Sequence, residues 1–215
     1  MFFHLSASQI GYILEGTGWS ILLSVIGTVG GFIVGLPIAL ARVSKRRWVR
    51  SVSGIYVQFN QGIPLPVTMF MVYFGISIFG VNVSTVLAAS SALVINASAY
   101  LGEMWKGSIN SVPLTQSEAA ESLALTYVQR MIYVILPQAV TIAIPPTVGF
   151  VVGLIKNTSY AVVIGMAELT YSARVVNNTT FEPFVIFTLA AAIYFLMCYP
   201  LSRLSLRLER AMRKV

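Results

Sequence analysis

The chain has 215 residues, of which 57% are hydrophobic and 10% charged, with a formal net charge of +7. A soluble domain carries roughly 25% charged residues, so the composition excludes an ordinary soluble fold and indicates an all-α, polytopic membrane protein. One histidine (His4), one cysteine (Cys198) and no aspartate exclude an internal disulfide, a Ser-His-Asp triad and a metal site, so no catalytic or metal-ligating residue is assigned.

Four windows are free of charge: Glu15 to Arg42, Arg50 to Glu103, Arg130 to Lys156 and Glu182 to Arg203. The hydrocarbon core is about 30 Å thick and takes about 20 helical residues to cross. The second window is long enough for two crossings, so about five transmembrane helices are expected, in a single domain covering residues 1–215. Residues 1–17 lack a basic n-region, so no cleavable signal peptide is expected.

The first span is expected over residues 19–41. Gly27, Gly31 and Gly35 recur there every four residues, a spacing that lets helix backbones approach closely in lipid. The second, over 55–79, opens with Asn60-Gln61-Gly62-Ile63-Pro64-Leu65-Pro66. Proline removes backbone donors, and lipid cannot satisfy the freed groups, so this stretch should face protein or a water-filled path. The third, over 84–100, carries Asn96 and Ser98 among small residues and should look inward.

A polar loop, 103–130, follows. Ser117 is a plausible N-cap, with Glu118 and Glu121 in the first turn, where the helix dipole favours anions. Ala120, Leu123, Ala124, Tyr127 and Val128 repeat at helical spacing, which predicts one short amphipathic helix with a single apolar face. The fourth span, over 132–155, is expected to be broken by Pro137 and by Pro145-Pro146, and ends in Lys156-Asn157-Thr158-Ser159. The piece from Tyr160 to Ala167 is too short to cross alone and should dip in or lie at the outer surface. The fifth span, over 184–199, leads into a tail of arginines and leucines suited to the bilayer interface.

Most lysines and arginines lie after the first span, between the third and fourth, and after the fifth. Cytoplasmic loops carry this excess, so the N-terminus is expected outside and the C-terminus inside. Topology and anionic headgroups then account for the net charge, and no nucleic-acid partner is expected.

Glu118-Ala119-Ala120 and Val134-Ile135-Leu136-Pro137 resemble the E-A-A-x3-G-x9-I-x-L-P coupling loop of bacterial ABC importer permeases. The pattern's Gly falls on Ala124 and its Ile on Val134. Ala99-Tyr100-Leu101-Gly102-Glu103, Leu136-Pro137-Gln138-Ala139, Lys156-Asn157-Thr158-Ser159 and Ile164-Gly165-Met166-Ala167-Glu168-Leu169 resemble permeases of the polar amino acid uptake family, the histidine, glutamine, arginine and glutamate systems. There are three departures. Ala124 replaces the loop glycine, which reads as mild because alanine suits a helix better by about 1 kcal/mol. Gln61-Gly62-Ile63-Pro64 stands for Arg-Gly-Thr-Pro, and Lys156-Asn157-Thr158-Ser159-Tyr160 for Lys-Asp-Thr-Ser-Leu.

The resemblance implies a type I importer permease in the bacterial inner membrane. Its expected partners are a second permease chain, two ATPase subunits and an extracytoplasmic binding protein that delivers an amino acid. The chain itself would be no enzyme and hold no cofactor; ATP and Mg would sit on the ATPase. Glu118, Ala119, Ala120, Leu123, Ala124 and Tyr127 would meet the ATPase in a helix-in-groove contact. Asn60, Gln61, Asn96, Ser98, Lys156, Thr158 and Ser159 are the expected substrate pathway. Lys156, with no aspartate in the chain, leans the cargo towards neutral or acidic amino acids. Glu168 and Arg174 are expected at the outer surface, facing the binding protein. The alternatives are another small solute, such as an opine, or a secondary carrier or channel, which has no use for an E-A-A helix.

Overall fold

The computed structural model describes residues 5–212; His4, Arg213 and Lys214 lie outside that range. The first helix, α1 (Ala7–Arg42), is capped by Ser6, whose hydroxyl accepts from the Gln9 amide. It starts earlier than expected and, at 36 residues, reaches about 54 Å.

The segment expected as the second span is broken. It consists of α2 (Arg47–Gly62) and α3 (Leu65–Phe70), the latter prolonged by a π-helical turn to Gly75. Pro64 sets the break: a residue before proline is pushed out of the helical region, and Ile63 is extended at φ −104°, ψ 127°.

Helix α4 (Thr85–Asn110) runs ten residues past the expected end of the third span. Two short helices, α5 (Leu114–Ser122) and α6 (Tyr127–Arg130), form the polar loop. A π-helical turn, Met131–Ile135, joins α6 to α7 (Leu136–Asn157). Here the expected break at Pro145-Pro146 is corrected, because α7 continues through both prolines. Pro137 follows the wide turn, where Gln138 Nε2 donates to the Val134 carbonyl at 2.8 Å. Such π adjustments re-satisfy backbone groups that proline frees within a membrane helix. From α9, the Ser205 hydroxyl donates to the Pro145 carbonyl at 2.9 Å.

A 3-10 turn (Thr158–Ile164), α8 (Leu169–Thr180) and α9 (Pro183–Met212) complete the chain. The turn packs into the bundle: Ala161, Ile164 and Met166 are buried with Leu23, Leu65, Met69 and Leu93. Four helical stretches are long and apolar enough to cross a membrane, namely α1, α4, the composite Tyr127–Ile164 and α9. The broken α2–α3 segment is not one of them, its apolar part Leu65–Gly75 being shorter, so four of the five expected crossings are matched by length and composition.

The glycine stripe of α1 packs against α4. A Cβ at Gly31 would lie 2.5 Å from the Ala97 Cβ, and one at Gly35 would lie 3.1 Å from the Ser98 carbonyl oxygen. On the facing helix, a Cβ at Gly102 would lie 2.7 Å from Ile38. At the cytoplasmic-side end expected for α1, Glu103 of α4 accepts from Arg42 at 3.0 Å and from Lys106 at 2.6 Å. Close packing and the Arg42–Glu103 pair join α1 to α4.

Candidate permeation cleft and coupling loop

Where the α2–α3 break faces α4 and α7, a cleft of about 470 Å³ opens. Gln61, Pro64, Asn96, Tyr100, Phe150 and Asn157 are among its lining residues. Asn96 and Tyr100 are four apart on α4, and Gly153 and Asn157 four apart on α7, so each pair shares a helix face. Tyr100 and Phe150 stack across the two helices, with ring centroids 6.0 Å apart. No lining residue is charged.

Two of the seven expected pathway residues, Gln61 and Asn96, meet in this cleft. The others lie elsewhere. Asn60 turns its Nδ2 to the Tyr56 carbonyl at 2.9 Å. Ser98 is fully buried, 2.7 Å from the Tyr56 hydroxyl, and donates to the Ile95 carbonyl. Thr158, also fully buried, donates to the Ile155 carbonyl at 2.7 Å. Ser159 donates to the Lys156 carbonyl, and Lys156 is exposed and outside the lining. Asn157, Tyr100, Phe150 and Tyr160 were not anticipated. The helical spacing of Tyr100 from Asn96 was the available signal.

Glu168 corrects the surface assignment, because it is fully buried. Its carboxylate caps α8, accepting from the Thr170 and Tyr171 amides at 2.9 Å each. It also accepts from the Tyr194 hydroxyl at 2.9 Å and the Ser20 hydroxyl at 3.3 Å. Burial pushes this carboxyl above its ordinary range, against the pull of those four hydrogen bonds. One side chain thereby ties α1, α8 and α9 together. Arg174 is exposed.

The single amphipathic helix expected from Ser117 is corrected to two helices. Helix α5 begins at Leu114 after Pro113, with no side-chain cap, and no acidic residue lies in its first turn. Glu118 and Glu121 therefore sit a turn further in, and the dipole argument for Glu118 lapses. The helix stops because Ala124 adopts φ 57°. Around it, the Leu125 amide donates to the Ala120 carbonyl at 3.2 Å and the Ala124 amide to the Glu121 carbonyl at 2.9 Å. This 6→1 and 5→2 pair is a Schellman stop, whose left-handed residue is usually glycine. The exchange of glycine for alanine is therefore not mild in the expected sense: alanine is unfavourable here rather than helpful.

Beyond the stop, Thr126 caps α6. Glu118, Ala119, Leu123, Ala124 and Tyr127 are exposed, whereas Ala120 is only 3% exposed and faces its own chain. Glu118 makes no salt bridge among the described residues.

A bundle of membrane-length apolar helices, with a broken segment, a polar cleft beside the break and an exposed loop helix, suits a transport protein's membrane subunit. Residues 27–214 match the profile of the binding-protein-dependent transport system inner membrane component, and the chain belongs to that family. It is 36% identical over 194 residues to the probable amino-acid ABC transporter permease protein YckA of Bacillus subtilis, covering 90% of this chain and 86% of that one. It is also 36% identical to the L-cystine transport system permease protein TcyB of Bacillus subtilis, over 91% and 84% of the two chains. A solved amino acid ABC transporter crystallised with histidines superposes at a TM-score of 0.88, with 33% identity and 94% of each chain covered. The MetNI methionine ABC transporter in an inward-facing form shares the fold at a TM-score of 0.80 and 17% identity. The chain is a multi-pass permease subunit of an ABC importer. Such subunits are non-catalytic; separate ATPase subunits hydrolyse ATP, and a binding protein presents the cargo.

Proposed function

We propose that this permease passes a neutral, polar amino acid through the cleft beside Pro64, driven by an ATPase docked on α5. The observation that carries this reading is the cleft wall: amides from Gln61, Asn96 and Asn157, aromatic faces from Tyr100, Phe150 and Tyr160, and no charge. Amides donate to a carboxylate and accept from an ammonium, which suits a zwitterion without favouring a charged side chain. This narrows the neutral-or-acidic expectation to neutral, since Lys156 is not in the lining. Relatives named for L-cystine and, among the Bacillus subtilis permeases, for glutamine support it.

In this reading two permease chains, identical or homologous, sit on two ATPase subunits that hold ATP and Mg. The N-terminus lies outside and the C-terminus in the cytoplasm. The exposed face of α5, with Leu114, Glu118, Ala119 and Leu123, enters an ATPase groove.

The test is uptake and ATP hydrolysis by the reconstituted complex, with its binding protein, across a panel of amino acids. Stimulation by neutral polar amino acids is expected, with Asn96→Leu lowering uptake tenfold or more while the ATPase stays bound. Stimulation by lysine or glutamate alone would refute the cargo assignment. Glu118→Lys should insert normally yet uncouple uptake from hydrolysis; unchanged uptake would refute the docking assignment.

A further inference from the structure

The coupling loop touches more of the bundle than the helix it leads into. Arg130, the last residue of α6, is only 8% exposed. Its Nη1 donates to Glu121 Oε2 at 2.7 Å and to the Ser117 carbonyl at 3.4 Å, fastening α5 to α6. The same guanidinium lies 5.8 Å from the centroid of the Tyr127 ring. Lys45, just beyond the end of α1, places its Nζ 5.3 Å from that ring. The aromatic ring is thus shared by two cations, one from the loop and one from the first span.

Apolar packing follows the same line. Val43 and Met131 pack on a buried cluster of Ile109, Val112, Ile135 and Ala139, so α1, α4 and α7 converge at the loop. One residue before Val43, Arg42 binds Glu103 of α4 and donates to the Arg50 carbonyl of α2 at 3.3 Å. The glycine-packed α1–α4 pair therefore begins where Lys45 meets Tyr127, and α4 carries Asn96 and Tyr100 into the cleft.

We propose that Arg130 and Lys45 are positioning residues that deliver displacement of α5 to the cleft along two routes. One runs through α6 and the π-helical turn into α7. The other crosses the Tyr127 ring to the α1–α4 pair. Both routes end on cleft walls, so one motion of α5 shifts Asn96 and Asn157 together. The proposal rests on α5 being the ATPase-docking element.

The experiment uses the complete complex in liposomes and reads two quantities, ATPase retained on purification and uptake per ATP hydrolysed. Arg130→Glu is expected to retain the ATPase and lower uptake per ATP tenfold or more. The double variant Glu121→Arg/Arg130→Glu should return it to within about threefold of the parent. Lys45 is exposed, so its variants fold whatever becomes of the Arg130 series. Lys45→Glu should lower uptake per ATP threefold or more, and Lys45→Arg should not. Parental coupling in Lys45→Glu would overturn the α1 route. Loss of the ATPase in the Arg130 and Lys45 variants would overturn transmission, making these residues part of the docking surface. Failure of the docking reading looks different: the parent chain would retain no ATPase at all.

Discussion

Ala124→Gly tests the local physics of the 103–130 loop most directly. At φ 57° an L-residue with a Cβ sits about 1–2 kcal/mol above its right-handed form. Glycine escapes that cost but gives back roughly 0.4–1 kcal/mol through its freer unfolded chain. The net expectation is a gain of about 0.5–1 kcal/mol in closing the stop at the end of α5. The reporters are the two amides that make the stop, those of Ala124 and Leu125. Since 1.4 kcal/mol is a factor of ten, their hydrogen exchange should slow about two- to fivefold in the glycine variant. Amides in the middle of α4 should be unaffected. Ala124→Val should move the other way, because a β-branched side chain is worse at positive φ. Exchange as fast in the glycine variant as in the parent, or faster, would refute the left-handed stop and restore the continuous helix.

Gly31→Val should lower the melting temperature in detergent, because added bulk would meet Ala97 at 2.5 Å and overpacking costs about 1–3 kcal/mol. Gly11→Ala is the control: nothing lies within 4 Å, so an equal loss there would remove the packing explanation. Burial holds the Glu168 carboxyl above its ordinary 4.5, so folding takes up a proton. Its contribution is fully present below pH 4.5 and is lost as pH rises through the raised value. Thermal stability of Glu168→Gln should therefore fall less over that interval than the parent's; parallel curves would refute the linkage.

How legible each part was depends on how local its cause is. Charge-free windows revealed the crossings because lipid rejects charge along the whole length of a span. The break at Pro64 was visible because proline acts on its own backbone, and the α1 stripe because spacing of four places glycines on one face. The stop at Ala124 was hidden: alanine is the strongest helix former, and only the Schellman pairing shows that the chain turns there. Glu168 was hidden too. A carboxylate reads as surface, and two of its donors, Ser20 and Tyr194, are 148 and 26 residues away. Pro145-Pro146 misled: α7 runs through both, with Trp105 of α4 bonded to Thr147 and Ser205 of α9 to the Pro145 carbonyl, tertiary contacts that sequence pattern does not encode.

The position of the cleft follows from the same break that makes it. Stopping α2 at Gly62 leaves the last-turn carbonyls without intrahelical partners, and hydrocarbon offers none. Such backbone is tolerated only where protein or a water-filled cavity surrounds it. Here Asn96 and Asn157 bring amides to that side, from the two helices that meet the 103–130 loop at their far ends. Meanwhile α3, beyond the break, packs through Leu65 and Met69 on Ala92 and Leu93 of α4 and on Ala161 and Ile164 of the 158–164 turn. The cleft is therefore walled by the end of α2 on one side and by α4 and α7 on the other, and the Tyr56 hydroxyl of α2, 2.7 Å from that of Ser98, holds the first wall to α4 just below the break.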